Sequence, residues 1–203
     1  MEPETLLSEA ERLARHLLGQ GFAHGYPHVE RVRRYAWEIV EAESLRVDRL
    51  VLELAVTLHD AGRPLGEPHA RLSARLAESF LRDRLDGERL ARVVNAILYH
   101  SYSYARRARV EPLGPEALVL SDADKLDALG ATGFLRVFLH GCEAGRGFEE
   151  SLAHFDEKIF RLPGLMHYQY SRRLARELAR RTRLLLEQLL GEARPAPRPR
   201  ENG

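Results

Sequence analysis

Residues 48–62 read DRLVLELAVTLHDAG, and this stretch decides how the chain folds. Asp48 is of an N-cap type, and Val51, Leu52, Leu54, Ala55, Val56 and Leu58 leave the helix after it almost no polar face. The spacing therefore predicts a central, buried helix over 48–60, stopped by Gly62 and Pro64. His59 and Asp60 stand at its end, where a charged pair facing the core needs something to offset its desolvation. Neighbours on a helix point about 100° apart, so the two side chains can reach one point only where the chain relaxes at the helix terminus.

Working outward, Tyr26-Pro27 opens a helix whose inward stripe is Val32, Tyr35, Ala36, Ile39 and Val40, with His28 one turn earlier on the same stripe. A helix over 3–19, closed by Gly19, precedes it. On the other side, helices are predicted over 67–84, with His69 on the face of Leu72, Leu76 and Phe80, and over 87–100, ending in His100. A polar loop from Ser101 to Pro115 bears Tyr102, Tyr104, Arg106, Arg107 and Arg109, and reads either as a lid that stacks a base or as plain exposed loop. A helix from about Glu116 carries Asp122, Asp124, Lys125 and Asp127. After it come an apolar stretch to Leu139, a Gly-rich loop, the segment His154 to Lys158 and a last helix from Tyr168 to Leu190. No segment alternates as a strand and no Gly-rich phosphate loop is present. The reading is an all-α chain with one helical domain over 1–193 and a disordered tail over 194–203.

Composition narrows the function classes. The 203 residues are 44% hydrophobic and 30% charged, which fits a globular domain and excludes disorder as the main state. Thirty-one basic against 30 acidic residues leave +1, so nucleic acid is not the expected partner, although the arginines of the last helix keep a helical nucleic-acid binder as the rival class. No run approaches the ~18 apolar residues of a membrane span, the start lacks the pattern of a signal peptide, and the single Cys142 has no partner for an internal disulfide. A cytoplasmic location is expected. Leu184, Leu185 and Leu189 suit either the core or a contact between copies, which leaves a homo-oligomer open.

Four side chains on separate helical segments share an inward position: His28, His59, Asp60 and Asp124. Two imidazoles and two carboxylates form a hard-to-borderline donor set suited to one divalent ion, Mn, Mg, Co, Ni, Fe or Zn. Such an ion lowers the pKa of water and polarises a phosphoryl oxygen, so the chemistry expected is hydrolytic.

These residues, in the segments Tyr26 to Val32, Leu58 to Gly62 and Asp122 to Ala128, follow the order H…HD…D. The chain thereby resembles the HD superfamily of metal-dependent phosphohydrolases from about residue 21 to residue 160. Ser121 to Gly133 and His154 to Leu162 further resemble a bacterial subgroup that includes nucleoside triphosphate pyrophosphohydrolases. The resemblance implies a helical bundle with the metal site in its core, one Mn-like ion held by His28, His59, Asp60 and Asp124, and cleavage of a nucleoside triphosphate to monophosphate and pyrophosphate. Asp124 is preferred to Asp122 because Lys125-Leu126 follows it. The alternative is a nucleotide monophosphatase or phosphodiesterase with one or two metals, since His69 and His100 occupy places where two-metal relatives supply further ligands. A second ion is the less favoured reading because Ser101, not a histidine, follows His100.

Further roles are expected around that ion. Asp60, or Asp127 through a water, accepts the proton; His100 binds phosphate or donates a proton to the leaving group; Lys125, Lys158, Arg63 and His69 face substrate phosphate. In so Arg-rich a chain Arg63 also reads as a solvated surface charge, and His69 as a simple cap. The substrate class is a small phosphate ester or anhydride, a nucleotide above all.

Overall fold

The computed structural model describes residues 2–193; the tail expected to be disordered, 194–203, lies outside the described residues. Ten α-helices follow one another, and among the described residues there is no strand. They are α1 (Pro3–Leu18), α2 (Tyr26–Ala42), α3 (Arg49–Leu58), α4 (His69–Leu81), α5 (Gly87–His100), α6 (Tyr102–Ala108), α7 (Pro115–Asp127), α8 (Gly130–Glu143), α9 (Phe148–Glu157) and α10 (Gln169–Glu192). Short 3-10 turns cover Arg63–Leu65 and Ile159–Leu165. Among the described residues no helix is long and apolar enough to cross a membrane.

The central helix is as expected. Asp48 caps α3 by accepting from Leu50 N and Val51 N, and Val51, Leu52, Leu54, Ala55, Val56 and Leu58 are buried. Fully burying a side chain of this kind contributes about 1.5–3 kcal/mol, so these contacts offset the cost of the polar groups set at the helix end. α1, α2, α5 and α7 pack around α3. Their start is tied together by Glu116 of α7, which accepts from Asp48 N at 2.7 Å and from Arg92 of α5.

α7 is buried on nearly every side, which is why its carboxylates are informative. Behind α3, the Gly62 backbone meets α4 directly: a Cβ there would lie 2.3 Å from Ser73 N, and Gly62 N donates to Ser73 Oγ at 2.9 Å. This close approach brings His69, the first residue of α4, back over the end of α3.

One expectation is corrected. The segment Ser101 to Pro115 holds a helix, α6, where a loop was predicted. Ala105 is its one buried residue, so no apolar period announces it, and Arg109 ends it in the left-handed region at φ 54°.

Candidate metal centre

α3 ends at Leu58, and His59 and Asp60 follow in a turn closed by Ala61 N to Leu58 O and Arg63 N to Asp60 O. The relaxation at the terminus lets both side chains turn inward, where His59 is fully buried and Asp60 is 1% exposed. His28 reaches the same point from α2, with its Nε2 3.2 Å from His59 Nε2 and 3.8 Å from Asp60 Oδ2. Asp124 comes from α7, its Oδ1 3.3 Å from His28 Nε2 and its side chain 28% exposed. The structure thus brings all four of the expected ligands together.

Each imidazole is fixed in one tautomer by a partner that can only accept. His28 Nδ1 donates to Asp127 Oδ2 at 2.7 Å, His59 Nδ1 to Val56 O at 2.8 Å, and His100 Nδ1 to Ile97 O at 2.6 Å. In the neutral rings all three Nε2 atoms therefore turn a lone pair to the centre. The His28 and His59 Nε2 atoms, 3.2 Å apart beside two carboxylates, call for positive charge between them, a proton or a metal ion. The His28 pKa shows the same demand: burial and Arg136 push it down, yet Asp124 and Asp127 outweigh them and hold it above the usual value. A divalent ion meets that demand, so the donor set fits the group the family implies.

A second group adjoins the first. Asp60 Oδ1 lies 3.6 Å from His69 Nε2 and 3.8 Å from His100 Nε2, so Asp60 faces two sets of metal-ligating atoms, one through each oxygen.

Several expected roles are corrected. Asp127 is fully buried and accepts from His28, from Arg31 Nε at 2.6 Å and Nη2 at 3.0 Å, and from Arg136 Nη1 at 2.7 Å. Burial pushes its pKa up, but the hydrogen bonds from His28 and Arg31 outweigh this and lower it; its bonds are spent on His28, Arg31 and Arg136. Asp127 positions His28. Asp60, expected also as a proton acceptor, gives each oxygen to Arg63, at 2.9 Å and 3.2 Å. Burial raises its pKa, but Arg63 and His59 drive it well below the usual carboxylate range, so it suits a ligand and not a base.

Arg63, expected at substrate phosphate, thereby spends two N–H groups on Asp60. Lys125 is 5% exposed and folds back along its own helix, Nζ donating to Ser121 O at 2.8 Å and to Ser121 Oγ, so it does not face substrate. His100 is held down to about 3 by burial and by His59 beside it, and is neutral with a bare Nε2 near pH 7. In that form its Nε2 is an acceptor. His69 is 16% exposed, with Nδ1 3.1 Å from Glu67 Oε1, and remains open toward solvent. Lys158 is exposed at the end of α9.

Asp122, the rejected alternative, is buried away from the histidines. It accepts from His167 N and Nδ1, the latter at 2.7 Å, and from Tyr168 N at 3.1 Å, and so ties down the segment that leads into α10, 45 residues away. Sequence reasoning missed Arg31 and Arg136. Arg31 had a signal, since it lies three residues after His28 on the same helix; Arg136 had none.

Two cavities flank α6. One, of about 300 Å³, is bounded by Glu67, His69, Ser101, Tyr104 and Arg107, and opens beside the second histidine group. The other, of about 370 Å³, lies between Tyr99, Tyr102, Arg106, Arg109 and His167. Residues expected to form a lid therefore line space next to the centre. The arginines of α10 are largely engaged locally: Arg180 and Arg181 on Glu177, Arg172 on Met166 O, and Arg183 over the Phe160 ring.

Comparison with known proteins agrees with this geometry. The HD domain model matches residues 25–129, the stretch holding all four converging residues. The uncharacterized protein YpgQ of Bacillus subtilis (strain 168) is 32% identical over 170 residues, covering 79% of this chain and 80% of its own length. The crystal structure of B. subtilis YpgQ in complex with ADP superposes with a TM-score of 0.73 at 26% identity, over 95% of this chain and 97% of that one. An HD-superfamily hydrolase from Bacillus thuringiensis superposes with a TM-score of 0.70 at 26% identity, over 94% and 98%. The chain belongs to the HD domain family.

Proposed function

We propose that this chain is a metal-dependent phosphohydrolase acting on nucleotides, cleaving a nucleoside triphosphate to a monophosphate and pyrophosphate. The observation that carries the reading is the convergence of bare His28 and His59 Nε2 atoms with Asp60 and Asp124, beside a cavity wide enough for a nucleoside. The relative crystallised with ADP supports the nucleotide class.

His28, His59, Asp60 and Asp124 would hold the ion, with manganese the first choice among divalent metals. When bound, it lowers the pKa of water and polarises a phosphoryl oxygen. The chain's own contributions are distinct. Asp127 and Val56 O fix the ligand imidazoles, and Arg63 holds Asp60 while keeping Nη1 free for a phosphate oxygen. Asp124 is the more open of the two carboxylates, and like Asp60 it is held well below the usual carboxylate range, against burial, by the His28 hydrogen bond and the neighbouring imidazoles, which suits a ligand. Tyr104 and Arg107 offer a planar, cationic wall for a base.

A second reading is favoured by the group Asp60, His69 and His100: two ions sharing Asp60, with monophosphatase or phosphodiesterase activity. One experiment separates them. The metal-stripped chain is resupplied with Mn²⁺, its metal content is measured, and ribo- and deoxyribonucleoside mono-, di- and triphosphates and cyclic nucleotides are offered in turn. Pyrophosphate with monophosphate at one ion per chain is the expected result; orthophosphate or opened cyclic esters at two ions per chain would move the assignment to the second reading. Absence of turnover across the panel would overturn both.

A further inference from the structure

Six of the nine histidines form a row of neighbouring rings. In contact order they are His140, His24, His28, His59, His100 and His69, with centroid separations of 4.8, 6.3, 5.1, 5.1 and 5.5 Å. The His69 end opens to the cavity beneath α6. The other end, His24 and His140, plays no part in the centre described above, and it carries unpaired donors. His140 Nδ1 and Arg146 Nε are buried atoms without a hydrogen-bond partner. Such orphans are uncommon in folded proteins, because each costs the desolvation of a polar group, and a pair of neighbouring ones points to a missing ligand.

The surroundings decide the sign of that ligand. Arg136 places Nη2 3.4 Å from His24 Nδ1 while sharing the single carboxylate of Asp127 with Arg31. Arg63 acts on both His24 and His140, and Arg146 and Lys158 act on both His140 and His154. Among the described residues neither Arg146 nor Lys158 has a carboxylate within 4.0 Å. Asp60 acts on His24 but is bonded to Arg63, Asp127 is bonded to Arg136, and Glu143 is exposed and sits 3.8 Å from His140 Nδ1, too far for a hydrogen bond. Positive charge is in excess here, since Arg146 and Lys158 lack a carboxylate partner and Arg136 shares one. A cation placed among His24, His140 and Glu143 would meet these groups, whereas an anion would partner Arg146 and Lys158.

We propose that His24, His140, Arg146 and Lys158 form a second, anion-binding subsite that takes the terminal phosphates of a polyphosphate chain and holds the pyrophosphoryl group as it leaves. This rests on the nucleotide reading above for its biological role, but not for its binding chemistry. His24 is one ring from His28, so the row sets a direction: nucleoside toward His69 and Tyr104, phosphate tail toward His140 and Arg146. Guanidinium and ammonium groups supply charge-assisted bonds to the phosphate oxygens, and neutral imidazoles supply single N–H donors.

The test is calorimetric titration of inorganic pyrophosphate into the full-length, metal-loaded chain freed of excess metal, repeated with Arg146→Ala and His140→Ala. Each variant is expected to weaken pyrophosphate binding roughly ten-fold while the orthophosphate affinity changes less, with helical circular dichroism unchanged. Because His140 is partly exposed and Arg146 lies between helices, both should fold; as a second readout, pyrophosphate should shift the imidazole NMR signals of His24 and His140. Equal pyrophosphate affinity in both variants, or unmoved His24 and His140 signals, would overturn the proposal, as would a further divalent ion whose uptake depends on His24 and His140. Pyrophosphate binding lost in the variants, in a chain that turns over no nucleotide, would uphold the subsite while removing the enzymatic reading.

Discussion

The half of the centre built by α2, α3 and α7 differs in kind from the half built by α4, α5 and α6. In the first, His28 and His59 are fully buried, their Nδ1 atoms are committed, and Asp127 accepts from three cationic or imidazole groups. In the second, His69 leans on an exposed Glu67, α6 has a single buried residue, and cavities lie on both sides of it. Ligands for a metal need geometry fixed before binding, and buried, fully bonded partners provide it. A surface that must admit and release a substrate needs few buried contacts. The division teaches where rigidity and adaptability are placed in one site.

The largest effect tests the rigid half. Asp124→Ala should lower metal-dependent hydrolysis by about a thousand-fold or more, with helical circular dichroism nearly intact. Asp122→Ala should do the reverse, leaving metal content unchanged but the His167 and Tyr168 N–H groups without their acceptor, at a cost of roughly 1–3 kcal/mol in urea unfolding. A reversed order between these two variants would dissolve the distinction drawn between the two carboxylates.

Asp127→Ala removes the anchor of His28 and leaves Arg31 and Arg136 without their carboxylate. Metal affinity should fall about 10–100-fold and stability by roughly 3–5 kcal/mol, read by chelator competition and chemical denaturation. Loss of activity at unchanged metal affinity would instead return Asp127 to a direct role in the reaction.

The buried His100 gives a pH signature. Its folded pKa is about 3 against 6.5 for the ordinary group, so the unfolded chain binds the extra proton and stability of the metal-free protein falls as pH drops from 6.5 toward 3. The slope contributed is at most about 1.4 kcal/mol per pH unit. His100→Asn should flatten the curve of unfolding free energy against pH in that window; an unchanged curve would mean that His100 is not held neutral in the fold.

The smallest effect is expected in the open half. His69→Ala should leave one ion per chain and lower kcat/KM only several-fold, roughly a 1 kcal/mol change. A drop in metal stoichiometry from two to one would replace the one-ion reading by the shared-Asp60 arrangement.

Much of this was legible because periodicity and burial are local properties. Apolar spacing placed His28 on an inward stripe and set His59 and Asp60 at the end of the most buried helix, and the order of the four ligands marked the family. The fates of the α7 residues were not legible in the same way. Asp122, Asp124, Lys125 and Asp127 lie within six residues, yet one holds the segment before α10, one faces the centre, one folds back on Ser121 and one anchors His28. Their partners are 45 to 99 residues away in three of the four cases or depend on a side-chain rotamer. α6 escaped notice because a short helix with one buried residue has no period to read.

The sequence by itself determined the helical class, the order of the main helices and the inward placement of His28, His59 and Asp60, since each follows from the pattern of apolar residues and the cost of burying charge, while the choice of Asp124 came from the resemblance to a family. Only the tertiary structure decided which imidazole nitrogen faces the centre, which carboxylate is anchor and which is ligand, and that His24 and His140 extend the row toward Arg146. Those outcomes depend on hydrogen-bond partners from distant helices, and no local spacing encodes which of two nearby donors will arrive.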